Sequence, residues 1–421
     1  METLAIVGTG IAGLGCAHFL QRKYALTLYE KDRHVGGHAN TVMVADQTDA
    51  VPVDTGFMTY NEVTYPNLTR LFKQLEVAVQ PSPMSFSVQH LPARVEFCGS
   101  SLNQLFGQRR NLLRAKFWRM LLTINRFNQE AVASLNCARP ETQSLGEYIR
   151  ERNYGDQFRD LYLIPMSCAV WSTPPERMLQ FPAATLLRFF HNHGFLGLHT
   201  QHPWLSVVGG ARRYVEKLSA PFRERIHLRR GVTQVRRERG QVTVSDESGH
   251  RERYDHVILA CHADQALRML GDADEHERSV LREFKYQPNT ALLHTDAAVM
   301  PDTRRCWSSW NYRVSSHADG QLSPSTVYWI NSLQSIPTRQ NYFVSINGEH
   351  TLRPEKIVQR IHYEHPLFNS GAIRAQRELP GLNQRQSKLY FCGSYFRYGF
   401  HEDAFSAALQ LSRQLTDDAW N

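Results

Sequence analysis

Gly8-Thr9-Gly10-Ile11-Ala12-Gly13 sits between an apolar run, Thr3 to Val7, and a segment from Ile11 to Leu20 that reads as a helix. In that setting the first glycine permits a tight turn, the second lets backbone approach a pyrophosphate, and the third lets the helix pack closely. The helix start adds unpaired N–H groups and a positive dipole end, which suit phosphate oxygens. Glu30 closes the next apolar run, Ala25 to Glu30, where its carboxylate can accept hydrogen bonds from ribose hydroxyls. The chemistry is dinucleotide binding. Gly36-Gly37, followed by His38, and the turn Asp54-Thr55-Gly56-Phe57 place further backbone where an extended cofactor would run.

Elements must hold these residues. The opening is a βαβ unit, and Ile226 to Arg230, Val232 to Arg236, Gln241 to Ser245 and Asp255 to Ala260 read as hairpin and sheet segments. Ser387 to Gly393 reads as a last strand, followed by a Gly-containing turn and a helix from about Asp403 to Asp418. The expected fold class is α/β. A discontinuous Rossmann-like domain, 1–60, 205–265 and 375–421, would carry an inserted α+β domain, 61–204 and 266–374. The insert is rich in aromatic residues and should build the substrate site, because ligands bind outside the carboxyl ends of such sheets and at domain interfaces. Gly209-Gly210-Ala211-Arg212 is another Gly-rich turn, suited to a phosphate or flavin contact or to an ordinary turn before a helix.

With 421 residues, 21% of them charged and 42% hydrophobic, the chain can bury a large core and shows no low-complexity tract. A core strand over residues 2–7 leaves no room for a leader before it, so the expected location is the cytoplasm. The longest uncharged stretch, Leu161 to Pro175, is too short and polar to span a bilayer. Seven scattered cysteines without a Cys-x-x-Cys pair fit a reducing compartment. The formal charge is +8, and from Phe97 to Gln129 there is no acid, while Arg109, Arg110, Arg114, Lys116, Arg119 and Arg126 alternate with apolar residues. A helix near 105–127 would be basic and amphipathic, as peripheral association with an anionic membrane requires, or simply core-packed with a solvated basic face. No nucleic-acid recognition module accompanies it, so no nucleic-acid partner is expected.

On these motifs the chain resembles the amine-oxidase-like FAD superfamily, whose members carry the acid, a double glycine, an Asp/Glu-x-Gly turn and a closing Gly-strand-helix element. Phe391-Cys392-Gly393 and Gly399-Phe400-His401-Glu402-Asp403-Ala404 supply the last of these. Further segments, among them Tyr65-Pro66-Asn67-Leu68, Phe181-Pro182-Ala183-Ala184-Thr185, Tyr286-Gln287-Pro288-Asn289 and Trp307-Ser308-Ser309-Trp310-Asn311-Tyr312, resemble the bacterial "predicted NAD/FAD-binding protein" branch. That branch is similar to the oxidase-like domain of plant cyclopropane-fatty-acid synthases and to methyl-branched fatty acyl desaturases. The resemblance implies a GR2/amine-oxidase type fold and FAD held by Gly8, Gly10, Ile11, Ala12, Gly13, Glu30, Gly36, Gly37, His38, Thr55, Gly56, Phe57, Val232, Gly393, Glu402 and Asp403. It implies hydride transfer from a fatty acyl chain to the flavin, with amine oxidation, redox-neutral double-bond isomerisation, or a non-catalytic partnership with a lipid methyltransferase as alternatives. Three departures stand out. Ala291-Leu292-Leu293-His294-Thr295-Asp296 holds no lysine where amine oxidases carry one, His38 replaces an arginine, and Cys392 lies inside a strand, so noncovalent FAD is expected.

Desaturation needs a base for the second proton. His401, at the expected flavin-facing helix start, is the first candidate, with His294 and Asp296 as weaker ones and Asp403 able to stabilise the helix end instead. Phe57, Tyr60, Trp307, Trp310, Tyr312 and Phe400 are candidates for an apolar substrate tunnel, although aromatic residues often serve the core. His191, His193, His199 and His202 lie close in sequence among Phe189, Phe190, Phe195 and Trp204. Without a nearby thiolate they read as pocket-lining or packed residues, and no metal is expected.

Overall fold

A computed structural model describes residues 1–45, 50–135, 143–197, 200–317, 319–384, 388–417 and 419–420. Strand Thr3–Val7 lies at the centre of a five-stranded sheet in the order Leu389–Phe391, His256–Leu259, Thr3–Val7, Ala25–Tyr29, Ile226–His227. Every pairing in it is parallel. Leu4, Ala5 and Ile6 are fully buried, which explains the unbroken apolar run: parallel strands are covered on both faces. Helix Ile11–Leu20 covers one face beside the C-terminal helix His401–Leu415, and the two approach so closely that a Cβ at Gly15 would lie 2.9 Å from that of Ala408.

A seven-stranded mixed sheet stands apart in sequence, in the order Ile357–Leu367, Lys285–His294, Phe343–Ile346, Leu322–Trp329, Trp310–Ser316, Phe86–His90, Val95–Cys98. Its pairings are antiparallel except where Trp310–Ser316 meets Phe86–His90. A three-stranded antiparallel sheet, Val232–Glu238, Gln241–Asp246 and Arg251–Tyr254, precedes the strand His256–Leu259. The architecture is the expected α/β class.

Boundaries shift for local reasons. The stretch from Ile226 to Arg230 is strand only over Ile226–His227, since Arg229 turns with φ +54°. The final strand is Leu389–Phe391, and Ser387 lies outside the described residues, as does Asp418. The C-terminal helix starts two residues earlier than expected, at His401, because Asp403 accepts from the Phe400 N–H and caps it. The single basic helix near 105–127 is not observed. A short helix Leu102–Leu105 and a 3-10 turn Arg109–Leu113 come first, and extended backbone at Arg114 separates them from the long helix Ala115–Leu135. No helix among the described residues is long and apolar enough to cross a membrane.

Candidate functional site

The parallel strands end on a cleft of about 1380 Å³. Val7 and Gly8, Tyr29 and Glu30, Ala260 and Cys261, and Gly393 bring the carboxyl ends of four strands to its wall. Opposite them stand Tyr286, Trp310, Tyr328, Ile346 and residues 359–366 of the mixed sheet. The volume exceeds the range usual for one small ligand, so an extended dinucleotide and a second molecule can share it.

Each glycine of the opening motif has a separate physical role. Gly8 takes φ +101°, and a Cβ there would meet the Ala260 carbonyl oxygen at 2.6 Å. A Cβ on Gly13 would lie 1.9 Å from the Gly8 oxygen, so this position holds helix and turn together. Around Gly10 a Cβ would meet nothing within 4 Å, because this face is open to the cleft. Helix Ile11–Leu20 has no side-chain cap and no acid in its first turn, which leaves the N–H groups beside Ile11 and Ala12 for an anion. Glu30, buried, accepts from the Thr9 N–H at 3.0 Å, the Thr9 hydroxyl at 2.5 Å and the Asp32 N–H at 2.9 Å. A carboxylate offers about four lone-pair sites, so acceptor capacity remains for a ribose hydroxyl. Gly10 bridges to Gly36, and Gly36, Gly37, His38, Thr55, Gly56, Phe57 and Val232 also line the cleft.

His38 stacks on Tyr363 with ring centroids 4.7 Å apart, and its Nε2 is buried without a hydrogen-bond partner. Burial, then the neighbouring rings of His365 and His262, hold its basicity well below the ordinary range. His38 is thus a cleft-lining neutral imidazole with one buried nitrogen left without a partner, and such an orphan calls for a ligand atom. The open cradle at Gly10, the free helix end and this orphaned nitrogen all fit FAD.

The C-terminal helix divides its polar residues. His401 lines the cleft, stacked on Phe57 at 4.0 Å between centroids and 11° between planes. Its Nε2 is 2.5 Å from the Tyr214 hydroxyl. Burial pushes the imidazole down to about 3, so it stays neutral at physiological pH rather than titrating there. Glu402 does not line the cleft. Its carboxylate accepts from the Leu68 N–H at 2.9 Å and the Asn67 N–H at 3.1 Å, capping helix Pro66–Gln74, which has no side-chain cap of its own. Asp403 is likewise turned away, held by its own helix start, and burial raises its carboxyl to about 7.

Five more expectations are corrected. His294 is fully buried at the far end of its strand, bonded to Ser345 Oγ at 2.8 Å. Asp296 forms two charge-assisted bonds with Arg353 and caps a short turn at Ala298; Arg353 holds its carboxyl well below the usual range. Neither lines the cleft, because both are occupied in fixing the end of the strand Lys285–His294. Trp307 donates to the Pro301 oxygen under the Arg304 guanidinium, and Tyr60 pairs with Leu205 and packs on Phe72, so both are structural. Tyr312 is buried beside Cys168 and also misses the cleft.

Trp310 and Phe400 do line it, with residues that the sequence did not single out as a set. Phe400 stacks on Phe189 at 4.9 Å, Phe189 on His193 at 3.8 Å, and Trp171 lies 4.6 Å from Phe189. Phe195 and Trp204 join them in the lining. His193 is thus a wall residue, its Nδ1 bonded to the Phe189 oxygen, and burial pushes it down to about 4. His191 is exposed, His202 bonds the Asn192 oxygen, and His199 lies outside the described residues. No group of three or more His, Cys, Asp or Glu side chains among the described residues is arranged to hold a metal ion. Gly209 and Gly210 do not line the cleft: a Cβ on Gly210 would meet Thr41 and Asp54, whose carboxylate accepts from the Ala211 N–H at the start of helix Arg212–Ser219. Cys392 is buried against Cys16, with sulfurs 3.8 Å apart, away from the cleft.

A glycine turn, a ribose-directed acid and an aromatic wall on opposite sides of one cleft define a dinucleotide-dependent oxidoreductase. The chain belongs to the flavin-containing amine oxidoreductase family, whose sequence profile matches residues 11–363, and its cofactor is FAD. Among solved structures it is similar to the "CLA-producing fatty acid isomerase from P. acnes", at 14% identity and a TM-score of 0.70, with 98% of each chain covered. Putrescine oxidase bound to putrescine is similar at 13% identity and 0.68, again over 98% of each chain. Cyclohexylamine oxidase from Brevibacterium oxydans IH-35A is similar at 14% and 0.67, over 98% of this chain and 99% of that one. At these identities the likeness shows the fold. No protein of curated function matches the chain in sequence.

Proposed function

We propose that this FAD-dependent enzyme acts on an unsaturated fatty acyl chain and not on an amine. The observation that carries the reading is the wall of Trp171, Phe189, Phe195 and Phe400, which offers apolar surface and no carboxylate to meet an ammonium group. Among the described residues, the acids lining the cleft are Glu30, Asp32 and Glu364; the Asp32 backbone N–H donates to the Glu30 carboxylate beside the glycine turn, and Glu364 faces His262. Among the described residues, Lys31 is the one lysine of the lining and belongs to the same turn. Apolar walls with few polar groups select a hydrocarbon by excluded water and shape.

Bound FAD supplies a two-electron acceptor that can also return the electrons. The chain's part is to align substrate and to manage protons. Desaturation would release a proton and needs a base matched to neutral pH. The imidazoles at this wall, His193 and His401, are pushed by burial to about 4 and about 3, so neither is such a base. A shift of a double bond along the chain leaves no net proton or electron, which makes it the reading best suited to these residues, with desaturation second. His401 then acts as a fixed neutral hydrogen-bonding group, oriented by Tyr214 and Phe57.

Purified holoprotein is incubated without oxygen with a polyunsaturated fatty acid, a methyl-branched saturated one and a diamine, with flavin absorbance and products followed together. Isomerised fatty acid with unbleached flavin is expected. Bleaching matched by a more unsaturated product would support desaturation, and bleaching by the diamine alone would overturn the acyl reading.

A further inference from the structure

The surface around helix Ala115–Leu135 carries an apolar patch that the fold does not use. The helix buries Phe117, Met120, Phe127 and Ala131 on one face, which is all that core packing requires of a surface helix. Yet Trp118 and Leu122, one turn apart, share a different face and remain 44% and 71% exposed. The preceding turn adds Leu112 and Leu113, the latter 90% exposed, and Leu102 stands 76% exposed just before it. The Trp118 indole N–H donates to the Leu112 oxygen at 2.9 Å, fixing turn and helix as one rigid surface. Isolated exposed leucines are ordinary, but five large apolar side chains within one short stretch are not.

The stretch that carries this patch has basic residues and no acid from Phe97 to Gln129. Among the described residues, Arg109, Arg110 and Arg114 bond only oxygens of Asn103, Phe106, Arg94 and Asn111, and no salt bridge involves them, Lys116 or Arg119. Arg126, farther along, does pair with Glu130. Glu96, the nearest acid in the preceding strand, is buried and occupied by Gln89 and the N–H groups of Asp302 and Thr303. Arg109, Arg110, Lys116 and Arg119 are therefore exposed cations without an acidic partner among the described residues.

We infer that this surface docks on an anionic phospholipid bilayer, with Leu113, Trp118 and Leu122 entering the interface while Arg109, Arg110, Lys116 and Arg119 meet lipid phosphates. Apolar insertion and cation–phosphate attraction reinforce each other only where both chemistries share one face, as they do here. The buried side of the same helix packs against helix Ala183–Asn192, which contributes Phe189 and His193 to the cleft.

Flotation of the holoprotein with vesicles tests this and reads location rather than turnover, so it stands independently of the acyl reading. Vesicles of phosphatidylglycerol and phosphatidylcholine in equal parts are compared with phosphatidylcholine alone, at low and high salt. The wild type should float with anionic vesicles, less so at high salt, and each of the pairs Leu113→Asp/Leu122→Asp and Lys116→Glu/Arg119→Glu should lower the bound fraction about tenfold. Flavin absorbance and melting temperature identify any variant that is misfolded, and quenching by brominated lipid that is lost in Trp118→Phe locates the contact without charge changes. Failure of the wild type to float, or floating unaltered in both paired variants, overturns the inference. So does sedimentation showing a dimer that Leu113→Asp/Leu122→Asp dissociates, since a second copy would then cover the patch.

Discussion

Tyr214 and His401 share a 2.5 Å hydrogen bond across 187 residues of chain, and it sets the plane in which the imidazole meets Phe57. Burial keeps the tyrosine hydroxyl protonated and the imidazole neutral. Together they form an uncharged pair at the cleft.

Removing the hydroxyl with Tyr214→Phe should slow turnover about tenfold, the worth of one buried hydrogen bond lost with its partner left unpaired. FAD content should not change. Since His401 sits near 3, the pH–rate profile of the wild type should show no step from it between pH 5.5 and 8. A step near the ordinary histidine value that vanishes in His401→Asn would contradict this assignment.

Stability should fall as acid is added from neutrality. His38, His193, His294, His365 and His401 are all lowered by burial, to about 4 for the middle three. Between their unfolded value near 6.5 and these folded values the unfolded chain binds more protons, so their contribution is full above about pH 6.5 and is lost as pH falls. Asp54 and Asp403, raised to about 7, and Glu402, also raised, act in the opposite sense, contributing most at low pH and losing it as pH rises. His18, His90 and His350 are lowered by burial as well, so eight groups against three give a melting temperature that drops from pH 7 to pH 5; a rise over that range would refute the balance.

Gly10→Val should leave the apoprotein folded and abolish FAD binding, because a Cβ at Gly10 meets no protein atom within 4 Å and this position lines the cleft. Gly13→Ala should unfold the opening unit, since its methyl group would overlap the Gly8 oxygen. Melting curves and bound-flavin absorbance separate the two effects. Equal destabilisation by both variants would sink the distinction.

Glu402→Ala should cost about 2 kcal/mol in stability, as two helix N–H groups lose their acceptor. FAD affinity should stay within about threefold, less than the loss of a charged cofactor contact would produce. A tenfold loss of FAD affinity without loss of stability would restore the cofactor role that the resemblance implies for this residue.

Asp296→Asn should lower the melting temperature by roughly 2–4 °C through the weakened Arg353 contact, with turnover per bound FAD unchanged. Changed turnover at unchanged stability would return Asp296 to the site.

The cofactor half of the site was legible because its logic is local. Gly8, Gly10, Gly13 and Glu30 act through turn geometry and strand ends within one βαβ unit, and periodicity alone locates those elements. The substrate half was only partly legible. Trp310 and Phe400 reach the cleft while Tyr60, Trp307 and Tyr312, of the same chemical type, do not. An aromatic side chain satisfies core and pocket equally well, and the choice depends on which strand face or helix end lies opposite. Glu402 shows the same limit for charge: adjacent to His401 in sequence, it points to a different helix because successive residues of an α-helix diverge by about 100°. The basic, acid-free stretch from Phe97 to Gln129 was visible as composition, but the exposure of Leu113 and Leu122 was not.

By itself, then, the sequence determined the dinucleotide cradle, the α/β class and the resemblance to a flavin family, since each rests on short-range spacing and backbone sterics. Tertiary structure alone decided that Tyr214 holds His401, that Glu402 serves the Pro66–Gln74 helix, and that Phe189, His193 and Phe400 form one wall. Those relationships join residues far apart in the chain, and only packing around a shared core brings them within bonding distance.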